Sequence, residues 1–274
     1  MNKKLNEQII QKMNYVDFLA LLNETNRPAG GKDSVRRIAL NSFVNFKSNV
    51  LHSGCNTGYC SFEICHLVKC NVTAIDINKN MVETARKRLK TEPDLYRKKI
   101  SFQVGDAHKL KFKDNYFDLV FSGGSIAFMK NPQIVVQEYK RVCKPYGFIG
   151  DMCLFYKNKP PKELLKKINK LLKISIKPWG KDYWVDLYKN EGLELYYDYT
   201  CAMPYIPTSN EVKEYCKKMV NSSLGGYSLE VKEVAQNKIF NYMNLFNENH
   251  KYLKYCILLF RKDYVGEQAT LFGK

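Results

Sequence analysis

The sequence predicts an α/β fold, a Rossmann-like doubly wound sheet of about seven strands with helices on both faces. Three observations predict it. Short apolar runs of strand length alternate with helix-period segments between Val50 and Phe155. The first run, Val50-Leu51, breaks into His52-Ser53-Gly54-Cys55-Asn56-Thr57-Gly58 and then into a helical pattern of Cys60, Ile64, Leu67 and Val68. Finally, Gly54 to Gly58, Asp76, Asp106 and Ser122 to Gly124 all fall at the carboxyl ends of such runs. That edge of a parallel sheet is where ligands bind, near the switch point of the strand order.

The elements follow in order. Residues 1–45 are expected to form an N-terminal helical lid, with Phe18, Leu21 and Leu22 on one amphipathic helix. Asn26-Arg27-Pro28-Ala29-Gly30-Gly31 makes a turn. Asp33 or Ser34 then caps a second helix whose apolar face is Val35, Ile38, Ala39 and Phe43. Gly31-Lys32-Asp33-Ser34 is not a phosphate-binding loop, because Asp33 stands where Ser or Thr is required and no strand precedes it.

A ligand-binding core is expected over 46–200. Val72 to Asp76 is a strand ending in a carboxylate, 18 residues past Gly58, near the spacing of about 20 for an acid that grips a ribose hydroxyl. The next helix buries Val82, Ala85 and Leu89 and carries Lys87, Arg88 and Lys90 near its end, where the helix dipole favours cations. Ile100 to Val104 and Phe117 to Phe121 are strands, Pro132 opens a helix with Val135, Tyr139 and Val142, and Phe148 to Phe155 is a fifth strand. Helices at Pro161 and over 182–190 lead to a strand over 193–200. A helical cap insertion over 201–250 precedes a final core strand over 251–262 and a tail over 263–274. An insertion of that length exceeds an ordinary connection and is expected to cover the sheet edge.

Composition excludes several classes. The chain of 274 residues is 45% hydrophobic, which suits a folded protein. Its net charge of +17 rests mainly on evenly spread lysines, so it reads as a compositional bias, and a nucleic-acid partner is kept only as an alternative. Nine cysteines with no C-x-x-C pair indicate a reducing cytoplasm and no metal site. No apolar run follows Lys3-Lys4, and Tyr255 to Phe260 is too short to cross a bilayer. A soluble, cytoplasmic protein is expected.

Together, Val50 to Gly58, Ile75-Asp76-Ile77-Asn78 with Met81, Gly105-Asp106-Ala107 followed by Phe117 to Phe121, and Arg141-Val142-Cys143-Lys144-Pro145-Tyr146-Gly147 resemble the class I S-adenosylmethionine-dependent methyltransferases, over about residues 45 to 156. The resemblance implies S-adenosyl-L-methionine as cofactor. His52, Ser53, Gly54, Cys55, Asn56 and Gly58 would line its methionine and ribose parts. Asp76 would accept from the ribose, Ile77 or Met81 would pack on the adenine, and Asp106 and Ala107 would bond its edge. Ser122 and Gly123 would lie beside the methyl donor. Two residues depart from the family. His52 replaces an acid that contacts the cofactor's amino group, and Asn56 replaces a glycine, which its tolerance of left-handed backbone allows. His52 is also a candidate base. His66, His108 and His250 fall outside the strand-end cluster.

Methyl transfer from a sulfonium needs alignment above all, so the acceptor is not identified by a catalytic dyad. The amino-methylating DNA enzymes of the family resemble Asn/Asp-Pro-Pro-Tyr where this chain has Ser122-Gly123-Gly124-Ser125. The expected acceptor is a small molecule methylated at N, O or C. Arg27, Trp179, Tyr183, Trp184 and Tyr205 are candidates to contact it. The alternatives are an RNA or protein methyltransferase that uses the basic surface, and a non-catalytic cofactor-binding module.

Overall fold

The computed structural model describes residues 5–25, 28–206 and 208–263. Seven strands form one sheet in the order β3-β2-β1-β4-β5-β7-β6. They are β1 (Asn49–Ser53), β2 (Asn71–Asp76), β3 (Ile100–Val104), β4 (Phe117–Ser122), β5 (Cys143–Tyr156), β6 (Glu194–Ala202) and β7 (Leu253–Arg261). The first five run parallel, and β7 is antiparallel to both β5 and β6. The chain winds outward from β1 to β3 and returns to β4 on the other side of β1. The order therefore switches between β1 and β4, and a crevice opens at their carboxyl ends.

Eleven α-helices are described: α1 (Glu7–Lys12), α2 (Tyr15–Leu21), α3 (Gly31–Asn41), α4 (Tyr59–Val68), α5 (Lys79–Leu89), α6 (Asp94–Arg97), α7 (Pro132–Val142), α8 (Lys162–Leu172), α9 (Lys181–Lys189), α10 (Ser209–Ser223) and α11 (Leu229–His250). Alternation along the strands sends side chains to two cores. Val50, Leu119, Phe121 and Leu259 face α3, α4 and α5, while Leu51, Val120, Ile149 and Phe260 face α7 and α9. A third core joins α1 and α2 to α10 and α11, centred on Phe18, Cys216, Ile239 and Tyr242. β7 is buried along nearly its whole length, as a strand covered on both faces must be, whereas edge strand β6 alternates.

The leader differs from its single expected amphipathic helix. Asn14 caps α2 by accepting from the Asp17 N–H, and this breaks the segment into two short helices. Neither Asp33 nor Ser34 caps α3. Gly30 does so with left-handed backbone, and the Ser34 hydroxyl turns back to donate to the Ala29 carbonyl at 2.6 Å. Between β6 and β7 stand α10 and α11, which pack on the leader. Among the described residues no helix is long and apolar enough to cross a membrane.

Candidate functional site

The glycine turn leaves β1 at Gly54, whose left-handed φ of 69° turns the chain sharply. A Cβ there would collide with the Ser125 side chain. Ser125 holds the two strand ends together, because its hydroxyl donates to the Ser53 carbonyl at 3.0 Å and lies 3.0 Å from Ser122 Oγ. Asn56 takes left-handed backbone at φ 48°, and its N–H donates to Asp76 Oδ2 at 2.8 Å. The Asn78 N–H donates to Asp76 Oδ1 at 2.9 Å. Asp76 thus ties the glycine turn to the start of α5 while each oxygen keeps a lone pair for a further donor. Burial raises its pKa, against those two backbone bonds.

The Gly105 N–H donates to the Asp76 carbonyl at 3.0 Å, which places Asp106 on the neighbouring strand end. Asp106 Oδ1 accepts from the His108 N–H at 2.9 Å and lies 2.7 Å from His108 Nδ1. His108 Nε2 reaches the Lys130 carbonyl. Those bonds hold the Asp106 carboxyl below its usual range. Between the two acids Ile77 is 73% exposed, an unusual position for an isoleucine. It forms an apolar shelf beside two carboxylates. Ala107 is buried at the same edge.

His52 is 2% exposed and stacks on Phe121 at 4.4 Å, with the rings within 3° of parallel. Its Nδ1 lies 2.7 Å from Ser61 Oγ. Burial pushes its pKa down to about 3, so the ring is neutral. Gly123 beside it has no left-handed backbone, and a Cβ there would make only ordinary contacts. A Cβ would lie 3.8 Å from His52 Nε2, 3.4 Å from Cys60 Sγ and 3.9 Å from Pro28 Cβ. Cys55 is buried, its N–H bonded to the Ile75 carbonyl at 2.8 Å, and Gly58 leads into α4.

The other face of the same strand ends is polar as well. Register aligns Ser53, Ser122 and Asp151 in one row across β1, β4 and β5. Asp151 is fully buried; its Oδ2 accepts from the Tyr188 hydroxyl at 3.0 Å and its Oδ1 from the Met152 N–H at 2.9 Å. Ser53 Oγ and Tyr139 OH, in the same layer, are buried without partners among the described residues.

Some expected residues lie elsewhere. Met81 is 1% exposed in the core shared with the leader and the α10–α11 pair, so of the two candidates only Ile77 is an open apolar side chain. Trp184 is a core residue, not a pocket wall, since it is 1% exposed and its indole donates to the Leu154 carbonyl at 3.0 Å. Trp179 and Tyr183 stack on each other at 4.1 Å beside the end of β5. Tyr205 lies under the Lys251 ammonium at 4.7 Å, and Arg27 falls outside the described residues. Sequence reasoning gave Ser125 no role, although it directly follows the Ser-Gly-Gly turn, and placed His108 outside the strand-end cluster, which its bonds to Asp106 two residues earlier correct. Cavities of about 450 and 470 Å³ lie away from this edge, one near the amino ends of the strands and one between α1, α2 and α11.

A doubly wound sheet whose switch-point edge carries a glycine turn, two acids at neighbouring strand ends and an exposed isoleucine has the layout of a nucleotide-binding crevice. Residues 51–150 match the family described as Methyltransferase domain. The chain is 34% identical over 97 residues to demethylmenaquinone methyltransferase of Desulfitobacterium hafniense, covering 35% of this chain and 38% of that protein. In fold it is similar to the MccD protein (TM-score 0.72, 22% identity, 87% of this chain and all of that one). It is also similar to phosphoethanolamine N-methyltransferase 2 of Haemonchus contortus in complex with S-adenosyl-L-methionine (TM-score 0.67, 17% identity, 96% of this chain and 61% of that one).

Proposed function

We propose that the protein transfers a methyl group from S-adenosylmethionine to a small-molecule acceptor at N, O or C. The observation that carries this reading is the convergence of Asp76, Ile77 and Asp106 on the edge where the glycine turn opens, inside a methyltransferase domain. When bound, the cofactor supplies a methyl already activated by its sulfonium. The chain's own residues then bind, align and exclude water.

Asp76 would accept from the ribose hydroxyls, Asp106 from the adenine amino group with the Ala107 N–H donating beside it, and Ile77 would cover the ring. Gly54, Cys55, Asn56 and Gly58 would offer backbone to the methionine part, with Ser122 and Gly123 opposite. His52 presents an uncharged Nε2 where the family has an acid. Storing a proton on a ring with a pKa near 3 is costly at neutral pH. We therefore read His52 as a polar contact for an N–H, O–H or acceptor atom and not as a proton store.

The covering of the edge supports a small acceptor. The Glu24 carbonyl accepts from Thr57 Oγ1 of the glycine turn at 2.7 Å, while cap residues Ser223 and Tyr215 bond the Leu22 carbonyl and the Glu24 carboxylate. Residues 22–25 therefore lie across the turn and are held from both sides. The matched relative is named for demethylmenaquinone, which supports a low-molecular-weight acceptor here as well. All nine cysteines are free and eight of them are buried, which suits a cytoplasmic location.

The test is cofactor turnover screened across amines, amino acids, phenols and RNA. Turnover with a small molecule is expected, whereas stimulation by RNA alone would overturn the acceptor class.

A further inference from the structure

Arg88, near the end of α5, spends its guanidinium on two segments far from it in sequence. Nε donates to Asn23 Oδ1 at 3.0 Å and Nη2 to the Asn23 carbonyl. Nη1 donates to the Thr57 carbonyl at 3.0 Å and to Thr57 Oγ1 at 2.6 Å. The Thr57 hydroxyl in turn donates to the Glu24 carbonyl at 2.7 Å. Thr57 is fully buried, and Asn23 takes left-handed backbone at φ 51° to close the end of α2. The guanidinium's hydrogen bonds go to neutral groups, while burial lowers its pKa against the opposing charge of the Glu24 carboxylate.

A partly buried cation that spends its hydrogen bonds on a neutral side chain, a hydroxyl and two carbonyls, with Glu24 near but not bonded to it among the described hydrogen bonds and ion pairs, gains little stability for its desolvation. It is a good positioning device, because the planar fork fixes several acceptors at once. The element that carries it matters too. At its other end, α5 begins at Asn78, whose N–H holds Asp76 and whose amide donates to Asp17 of α2 at 3.0 Å. The same helix therefore grips the leader beside the ribose acid and again beside the glycine turn.

We propose that Arg88 is a positioning residue of the cofactor site, which clamps leader residues 22–25 onto Thr57 and so sets how long the cofactor stays bound. The inference rests on the cofactor reading above and extends it to a residue outside the strand-end cluster. The bland alternative is a cation placed to suit the end of a helix. Arg88→Lys separates the two, because it keeps the charge and loses the fork.

The experiment measures amide exchange in the ligand-free protein and the dissociation rate of S-adenosylhomocysteine from wild type, Arg88→Lys and Arg88→Ala. Arg88→Ala is expected to speed exchange at residues 22–25 and to raise the dissociation rate about tenfold or more, since several charge-assisted bonds are lost. Arg88→Lys should fall between the two, with β5 and β7 amides unchanged in both variants. Wild-type exchange and dissociation in Arg88→Lys would overturn the clamp, as would loosening that spreads into β5 and β7. If the wild type bound no S-adenosylhomocysteine, the cofactor reading would fail, and the residence claim with it. Tight binding with unaltered dissociation in Arg88→Ala would overturn this proposal alone.

Discussion

Asp76 holds the Asn56 and Asn78 N–H groups with its two oxygens, so the carboxylate is fixed before any ligand arrives. Asp76→Asn would aim an N–H₂ at one of those donors and loosen the turn. We expect S-adenosylhomocysteine affinity to fall roughly 10- to 100-fold, in line with about 1.5–3 kcal/mol for a hydrogen bond to a charged group. Isothermal calorimetry checks this, and affinity within twofold of wild type would contradict it. Asp151 makes the opposite kind of prediction. Burial pushes its carboxyl from an ordinary 3.8 up to about 6, so the folded state holds that proton more tightly than the unfolded chain does. Such an acid contributes stability at low pH that is lost as pH rises from about 4 through about 6. The loss is on the order of 2–3 kcal/mol. The thermal midpoint of wild type should decline across that window relative to Asp151→Asn. Parallel pH profiles for the two proteins would refute the burial argument.

At the scale of elements, the leader and the cap share one core. Phe18 of α2 is fully buried edge-to-face with Tyr242 of α11 at 6.1 Å, and the Lys238 ammonium lies 5.1 Å from its ring. Phe18→Ala should cost about 3–5 kcal/mol where the whole molecule unfolds as one. Amide exchange should show α1, α2, α10 and α11 loosening together while β1, β4 and β5 stay protected. Loosening confined to α2 would show that leader and cap do not form a unit. These contacts explain what sequence could and could not show. The strand and helix periods of the core, the left-handed Asn56 and the acids at two strand ends are local patterns, and all were legible. Splitting of the leader into two helices depended on one Asn cap. The core placement of Trp184 depended on a carbonyl 30 residues away, and the grip of Arg88 on segments 31 and 65 residues away. Such long-range partners leave no periodic signature; Arg88 reads locally as a helix-end cation.

For the whole molecule, a doubly wound sheet supplies the crevice, and the leader and the α10–α11 pair pack on each other beside it. The leader reaches the crevice through Thr57 and Asn78, and the cap reaches the leader through Ser223 and Tyr215. The glycine turn, the leader and the α10–α11 pair are thus mechanically joined, and on the proposed reading this favours a small acceptor over a macromolecule. The most direct measurement is calorimetric titration of the purified chain with S-adenosylmethionine. The account predicts saturable one-to-one binding at micromolar concentrations that Asp76→Asn weakens. No heat at high micromolar cofactor would contradict it.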